Sequence, residues 1–161
     1  MRTPTRASLA TCLTLGLAAC ATTSADGPTS SRAPLSSDLS CALPTNCVNS
    51  LGDDPAPLRY EGTAERGLAL LRATLESFPE AKIVRTEGLA IEAIFTTRVG
   101  FQDQVDFRIN PQGGRIDYRS RSLFGLFDWG KNRSRMDEVR ERFKQHVVGE
   151  RVPLTQTFVS R

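Results

Sequence analysis

The chain is poor in histidine, the residue used most often for proton transfer and metal binding, since it contains only His146 among 161 residues. A zinc site built on paired imidazoles is therefore excluded, and histidine-dependent catalysis has a single candidate. His146 lies beside the apolar stripe of a predicted helix, which favours a partly exposed structural residue. The sequence also lacks GxSxG, Walker, HExxH and GxGxxG motifs, the signatures of several hydrolase, nucleotide-binding and metalloprotease classes.

Charge of one sign and long apolar runs are scarce as well. The 21 Lys and Arg and 18 Asp and Glu leave a net charge of +3, which is too small to indicate nucleic-acid binding by itself. The charge is uneven, because residues 113–144 contain nine basic and five acidic residues, whereas residues 53–92 contain five and eight. The apolar stretch over residues 9–19 is too short for a membrane-spanning helix, which needs about 20 residues.

The first 20 residues have the features of a bacterial lipoprotein signal. Arg2 and Arg6 precede the apolar stretch, as in the positive region of a signal peptide. Residues 17–20 read Leu-Ala-Ala-Cys and resemble the lipoprotein box, in which small residues precede a cysteine that receives diacylglycerol. We therefore expect a signal peptide over residues 1–19 and a lipid anchor in the membrane at Cys20. An ordinary secretory signal is the alternative.

The residues after Cys20 predict the membrane to which the anchored protein is sorted and the position at which the folded domain begins. Residue 21 is Ala rather than Asp, and by resemblance to proteobacterial lipoproteins this favours the periplasmic face of the outer membrane over the inner membrane. Residues 21–40 are rich in Ser, Thr, Ala, Pro and Gly and show no apolar periodicity. We therefore expect a flexible tether over residues 20–40 and a single domain over residues 41–161.

Cys41 and Cys47 are the cysteines left to pair, because Cys12 lies in the predicted signal peptide and Cys20 in the predicted anchor. In an oxidising periplasm two such cysteines usually form a disulfide. A metal site is an alternative that lacks further ligands, and a redox-active pair is one that lacks the CxxC spacing. We predict a structural disulfide, no metal and no cofactor.

The apolar periodicity predicts the element order α-β-β-β-β-α. A first helix follows Thr63 as its N-cap and ends before Pro79, and a second runs from Ser134, with Asp137 at the capping-box offset, to residue 148. Alternating apolar residues between the two helices predict four strands joined by short turns, around residues 81–86, 89–97, 105–109 and 116–118.

These elements predict an α+β domain: one antiparallel sheet of about four strands with two amphipathic helices packed on one face. The opposite face would then be open to a ligand or partner. Residues 150–161 are predicted to form either a further short strand or an ordered tail.

Three segments resemble the bacterial family catalogued as domain of unknown function 1499. They are Pro-Thr-Asn-Cys-Val-Asn-Ser at residues 44–50, Phe-Gln-Asp-Gln-Val-Asp-Phe at 101–107, and Arg-Ser-Arg-Ser followed by Asp-Trp-Gly-Lys-Asn-Arg-Ser-Arg within 119–135. The resemblance extends from about Cys41 to Phe143. The departures from the family pattern are Gln102, Gln104, Arg121 and Leu123. The resemblance implies an uncharacterised domain and brings no established chemistry with it.

Residues 119–135 form the candidate site, because this segment contains five basic residues and only one acidic residue, Asp128. The segment precedes a predicted helix N-terminus, where free N–H groups attract anions, so it suits a phosphate, a carboxylate or a lipid headgroup. The alternative is structural. In it, Asp128 and Asn132 cap backbone turns, Arg133 or Arg119 pairs with Asp128 or Asp117, and the aromatic residues close the end of the sheet. The residues predicted to bind are Arg119, Ser120, Arg121, Ser122, Asp128, Trp129, Asn132 and Arg133.

Three functions are compatible with this sequence. The first is a non-enzymatic binding module for an envelope protein or an anionic ligand, with no nucleic-acid partner. The second is a hydrolase or transferase-type enzyme that uses Ser120 or Ser122 with Asp128 and an arginine. The third is a purely structural envelope protein. Paired carboxylate chemistry has little support, because Asp103 and Asp106 are three residues apart on a predicted strand and should face opposite sides of the sheet.

Overall fold

The computed structural model describes residues 35–112 and 114–151 and shows the predicted α+β architecture. A 3₁₀ turn, Pro44–Asn46, precedes the first strand. The strands are β1 Cys47–Asn49, β2 Leu58–Arg59, β3 Ala81–Glu87, β4 Ala90–Thr96, β5 Gln102–Asn110 and β6 Arg115–Ser122, and the helices are α1 Ala64–Glu76 and α2 Lys131–Arg151.

The sheet has six strands rather than about four, and every pairing in it is antiparallel. The four predicted strands correspond to β3–β6 and form a meander in the order β6-β5-β4-β3. The two additional strands, β1 and β2, both pair with β6. They contain three and two residues, which is too short for an apolar alternation to be visible in the sequence.

Helix α1 agrees with its prediction at both ends. The Thr63 hydroxyl accepts a hydrogen bond from the Arg66 N–H at 3.2 Å, as an N-cap does. The helix ends at Glu76, three residues before Pro79. Its buried stripe includes Leu71 and Leu75 and packs toward the sheet.

The predicted start of helix α2 is wrong by three residues, because the helix begins at Lys131 rather than at Ser134. Ser134 lies within the first turn, and its N–H donates to the Gly130 carbonyl at 3.0 Å. The capping carboxylate is instead that of Asp128, which accepts the N–H groups of Gly130 and Asn132 at 3.0 and 2.9 Å. The apolar stripe predicted for α2, Met136, Val139, Phe143 and Val147, is confirmed, because the first three are buried and Val147 packs against the core. His146 is half-buried.

Both helices cover one face of the sheet, and the core lies between these two layers. Alternate side chains of β4, β5 and β6 point into it, among them Phe95, Phe107 and Tyr118. Helix α2 contributes Met136 and Phe143 from the other side. Neither helix in the described part of the chain combines the length and apolar character needed to cross a bilayer.

The opposite face carries charged side chains and is partly covered by residues 35–40. Arg85, Glu92, Asp106 and Arg119 lie side by side across β3–β6. Four hydrogen bonds hold the covering segment. They are Leu35 N–H to Glu87 Oε2 at 3.1 Å, Asn49 Nδ2 to the Leu39 carbonyl at 3.0 Å, Arg119 Nη1 to the Ser40 carbonyl at 3.2 Å, and Arg108 Nη2 to the Ser36 carbonyl. Leu39 is buried, so the face expected to be open is occupied by the chain itself.

The predicted disulfide is confirmed. Cys41 follows the covering segment and is bonded to Cys47 in β1, with Cα atoms 5.6 Å apart. The bond therefore joins the end of this segment to an edge strand of the sheet. Residues 152–161, for which a strand or tail was predicted, lie outside the described residues.

Candidate functional site

The structure divides the eight predicted binding residues, because successive side chains of β6 point to opposite faces of the sheet. Arg119 and Arg121 lie on the face away from the helices. Arg119 pairs with the buried carboxylate of Asp106, Nη2 to Oδ2 at 2.8 Å, and Arg121 donates from Nη2 to Gln104 Oε1 at 2.9 Å. These two arginines are thus engaged within the sheet and are separated from the loop that follows β6.

Ser120, Ser122, Asp128 and Asn132 come together on the helix side of the sheet. Asn132 is fully buried at the start of α2. Its Oδ1 accepts the Ser120 hydroxyl at 2.6 Å, and its Nδ2 donates to Asp128 Oδ2 at 2.7 Å and to Ser122 Oγ at 3.2 Å. A further bond runs from Nδ2 to the Asn46 carbonyl at 2.9 Å. We call these five residues the Asn132 cluster.

The Asn132 cluster connects two of the three segments that carry the family resemblance. Asn46, in the first of them, also donates from Nδ2 to the Gly125 carbonyl at 2.7 Å, and the Asp128 N–H donates to the Thr45 carbonyl at 3.2 Å. The loop over residues 123–130 is therefore tied to the turn that precedes β1. Since buried polar groups need partners, this cluster accounts for these residues as parts of the architecture.

The cluster has a direct bearing on catalysis and anion binding. The Ser120 hydroxyl donates to an amide oxygen, which does not serve as a general base, so Ser120 lacks the base partner that activates a serine nucleophile. Asp128 occupies the N–H groups of Gly130 and Asn132. The helix N-terminus that was predicted to attract an external anion therefore holds a carboxylate of the chain itself.

Arg133 points away from the cluster and pairs with neither Asp128 nor Asp117. It hydrogen-bonds Asp54 and lies 3.5 Å from Asp137, Nε to Oδ2. The hydrogen bond with Asp54 raises the pKa of the guanidinium, and the side chain is 41% exposed. Asp117 instead pairs with Arg115.

The aromatic residues of the 123–130 loop do not close the end of the sheet but project into solvent. Trp129, Phe124 and Phe127 are 91%, 77% and 62% exposed. Trp129 and Gly130 have φ values of 54° and 77°, a left-handed turn that keeps the indole outside the first turn of α2. The exposed apolar residues at this end, which we call the apolar tip, are Val99, Phe101, Leu123, Phe124, Leu126, Phe127 and Trp129.

Two chain segments form the apolar tip. The first is the β4–β5 turn over residues 97–101, and the second is the 123–130 loop. Where the two segments meet, the Leu123 N–H donates a hydrogen bond to the Gln102 carbonyl at 2.9 Å. The rings of Phe101 and Phe124 stack with centroids 6.3 Å apart. The sequence pattern indicated Trp129 but not the β4–β5 turn, because only the pairing of β5 with β6 brings the two segments together.

The apolar tip surrounds an open groove of about 640 Å³ that is also lined by Arg98 and Lys131. Within the described residues neither of these two cations has an ion-pair partner. The carboxylate of Asp103, at the same end of β5, is buried and lies 2.7 Å from Arg135. Exposed apolar surface and free positive charge thus occur side by side.

A second cleft of about 530 Å³ adjoins this groove and shares Arg98 and Lys131 with it. Its lining also includes Glu80, Glu138 and Arg135, so its charge is mixed. Over residues 35–112 and 114–151, no group of three or more His, Cys, Asp and Glu side chains is placed to hold a metal ion.

Comparison with known proteins agrees with the resemblance found in the sequence. The family model described as "Protein of unknown function (DUF1499)" matches residues 38–143, which include β1 to β6, α1 and most of α2. No curated protein gives a significant match. Because the family model covers more than half of the chain, this protein belongs to the DUF1499 family of proteins of unknown function.

Proposed function

We propose that this protein is a lipid-anchored, non-enzymatic binding module of the bacterial cell envelope. In this proposal, Cys20 carries the lipid at the periplasmic face of the outer membrane, and the apolar tip binds a ligand that combines an apolar part with an anionic group. The observation that carries the binding role is the apolar tip itself, next to Arg98 and Lys131.

The composition of the tip supports a ligand with two chemical parts. Large exposed apolar patches on a domain mark sites of interaction with a protein, a membrane or a ligand. Arg98 and Lys131 supply positive charge beside this patch, which attracts an anionic group. The disulfide between Cys41 and Cys47 supports export, since disulfides persist in oxidising compartments such as the periplasm.

Binding at the tip is tested with small amphiphiles that separate the two parts of the ligand. Octyl phosphate, octyl glucoside and inorganic phosphate are titrated separately, each below any micelle-forming concentration, and Trp129 fluorescence reports binding because it is the one tryptophan of the chain. Octyl phosphate should bind tightest, and Lys131→Gln should weaken it by about fivefold, as expected for one favourable charge contact of about 1 kcal/mol.

Lys82→Gln is the matched control, because Lys82 is an exposed lysine on β3 that lies outside the groove. It should leave the affinity unchanged. Equal affinity for all three compounds, or equal loss in both variants, would contradict the proposed site.

The lipid anchor is tested independently by growing cells with radioactive palmitate. The wild-type protein should incorporate the label, and Cys20→Ser should not, because the acceptor thiol is gone. A label that persists in Cys20→Ser would contradict anchoring at this residue.

A further inference from the structure

We infer that the apolar tip inserts into the interface of a bilayer that contains anionic phospholipid. This inference rests on the proposed function. It specifies that the ligand of the apolar tip is a membrane surface rather than a single lipid molecule. The domain would then contact the membrane at a second point besides its proposed lipid anchor.

The shape of the tip favours a fluid bilayer over a protein partner. Trp129, Val99 and Phe124 project with more than three quarters of their surface exposed. A protein partner would need a preformed pocket for each projecting side chain, because protein interfaces are packed as closely as protein interiors. Lipid rearranges around such side chains, and tryptophan and phenylalanine are residues that membrane interfaces accept readily.

The charge next to the tip complements an anionic surface. Arg98 and Lys131 lie at its edge as cations without ion-pair partners among the described residues. The two acidic side chains that line the groove are engaged within the domain, because Asp103 is buried against Arg135 and Asp128 accepts N–H groups of the helix start. Glu80 and Glu138 line the adjoining cleft instead, where Glu138 pairs with Arg142. A membrane that approaches this end therefore meets positive charge and apolar surface together.

The tip is also fixed before it meets a membrane. Four hydrogen bonds hold the 123–130 loop. Asn46 Nδ2 donates to the Gly125 carbonyl, and the Thr45 hydroxyl donates to the Leu126 carbonyl. Asp128 donates its N–H to the Thr45 carbonyl and accepts Asn132 Nδ2 at its carboxylate. A loop backbone that is already held in place loses little conformational entropy on insertion, which favours binding.

The length of chain after Cys20 allows the tip and the proposed anchor to share one bilayer. Leu35 is bound to Glu87 at the end of β3, whereas the tip lies at the opposite end of β4. The seven residues of β4 span about 23 Å. The chain from Cys20 to Leu35 covers up to about 50 Å when extended, which exceeds this distance.

The test uses the full-length chain with Cys20→Ser, so that no acyl group contributes, and follows Trp129 emission on adding vesicles. We expect a blue shift with vesicles of phosphatidylglycerol and phosphatidylcholine, quenching by lipids brominated on their acyl chains, and weak effects with phosphatidylcholine alone. Because Trp129 lies in the tip, this signal reports insertion of the tip itself rather than attachment by another part of the chain.

Two pairs of variants separate the contributions of charge and apolar surface. Arg98→Gln with Lys131→Gln should lower partitioning into the anionic vesicles by about 25-fold, from about fivefold per cation, whereas Lys82→Gln with Lys144→Gln should not. Phe124→Ser should lower it by roughly tenfold. Val148→Ser is its control, an exposed apolar residue about 25 Å along α2 from Lys131.

The outcomes distinguish this inference from the proposed function. Binding of octyl phosphate without any vesicle-induced shift would overturn insertion and leave the proposed function standing, whereas failure of both would overturn both. A shift that requires an envelope protein and does not occur with lipid alone would assign the tip to a protein partner and would also overturn the inference. The inference would also be overturned if Arg98→Gln with Lys131→Gln partitioned into the anionic vesicles as well as Lys82→Gln with Lys144→Gln does.

Discussion

Asn132→Ala should be among the most destabilising single substitutions in this domain, because Asn132 is fully buried and its side chain forms five hydrogen bonds, the longest of them from Arg135 Nη1 at 3.5 Å. Each neutral bond contributes about 1 kcal/mol, and the bond to Asp128 contributes about 1.5–3 kcal/mol. Ser120 and Ser122 can rotate toward other partners, which recovers part of the loss. We therefore expect the free energy of unfolding to fall by about 3–4 kcal/mol, out of the 5–15 kcal/mol typical of a domain.

The isosteric variant Asn132→Asp tests the same cluster through its charge. It would place a carboxylate oxygen in the position of Nδ2, which is 2.7 Å from Asp128 Oδ2 and 2.9 Å from the Asn46 carbonyl. Two carboxylates at that distance raise the pKa of one of them, because like charges disfavour ionisation. This variant should therefore regain stability as the pH falls and the pair takes up a proton, whereas Asn132→Ala should show no such recovery.

Urea unfolding followed by far-ultraviolet circular dichroism measures both variants. Gln145→Ala, an exposed substitution on the same helix, is the control and should change stability by no more than about 0.5 kcal/mol. A loss below about 1 kcal/mol for Asn132→Ala would refute the assignment of this cluster as the element that holds the 123–130 loop and helix α2 to the sheet.

Three further predictions concern the packing and the pH dependence. Gly67→Ala should lower the unfolding free energy by about 1 kcal/mol despite its better helix propensity, because the added Cβ would lie 2.7–2.9 Å from ring atoms of Tyr60; stabilisation on urea unfolding would contradict this. Burial raises the pKa of Tyr60 and Tyr118, so absorbance at 295 nm should show that both tyrosines ionise at a higher pH in the folded protein than in the unfolded chain, where the pKa is about 10. Because the unfolded chain then ionises first, the free energy of unfolding should fall as the pH rises above about 10. Replacing Cys41 and Cys47 by Ser should cost about 2 kcal/mol, checked by unfolding with and without reductant, and an unchanged midpoint would contradict it.

Much of the secondary structure could be predicted from local patterns. Thr63, the apolar stripe and Pro79 define α1 because capping and helical periodicity depend on residues close in sequence. The four longer strands show alternation because one of their faces is buried by the helices. The start of α2 was missed because its cap, Asp128, lies outside the helix and acts through a turn at Trp129 and Gly130.

Strands β1 and β2 could not be predicted in the same way. Each forms because it pairs with β6, between 56 and 74 positions later in the chain, and strands of two and three residues carry no recognisable period. The covering of the charged face by residues 35–40 has the same origin, since it depends on carbonyl groups that meet Asn49 and Arg119 only in the folded chain.

The candidate site shows the same division between local pattern and tertiary contact. The sequence placed a basic and aromatic segment at residues 119–135, and Trp129 and Lys131 of that segment lie at the apolar tip. The sequence could not show which basic residues are neutralised by ion pairs, such as Arg119 and Arg135, and which lack an ion-pair partner among the described residues, such as Lys131. That difference depends on strand register, which sets Arg119 opposite Asp106, and on the packing of α2, which sets Arg135 beside Asp103.

By itself, then, the sequence determined the order of the two helices and the four longer strands, the cysteine pair and the family, because each shows in local patterns of residue types. The anchor at Cys20 stays a prediction from the same kind of pattern. Only the tertiary structure decided that the polar residues of the family segments build a buried cluster and that residues 97–101 join the 123–130 loop at the apolar tip. The physical reason is that burial, ion pairing and exposure are properties of contacts between residues far apart in the chain.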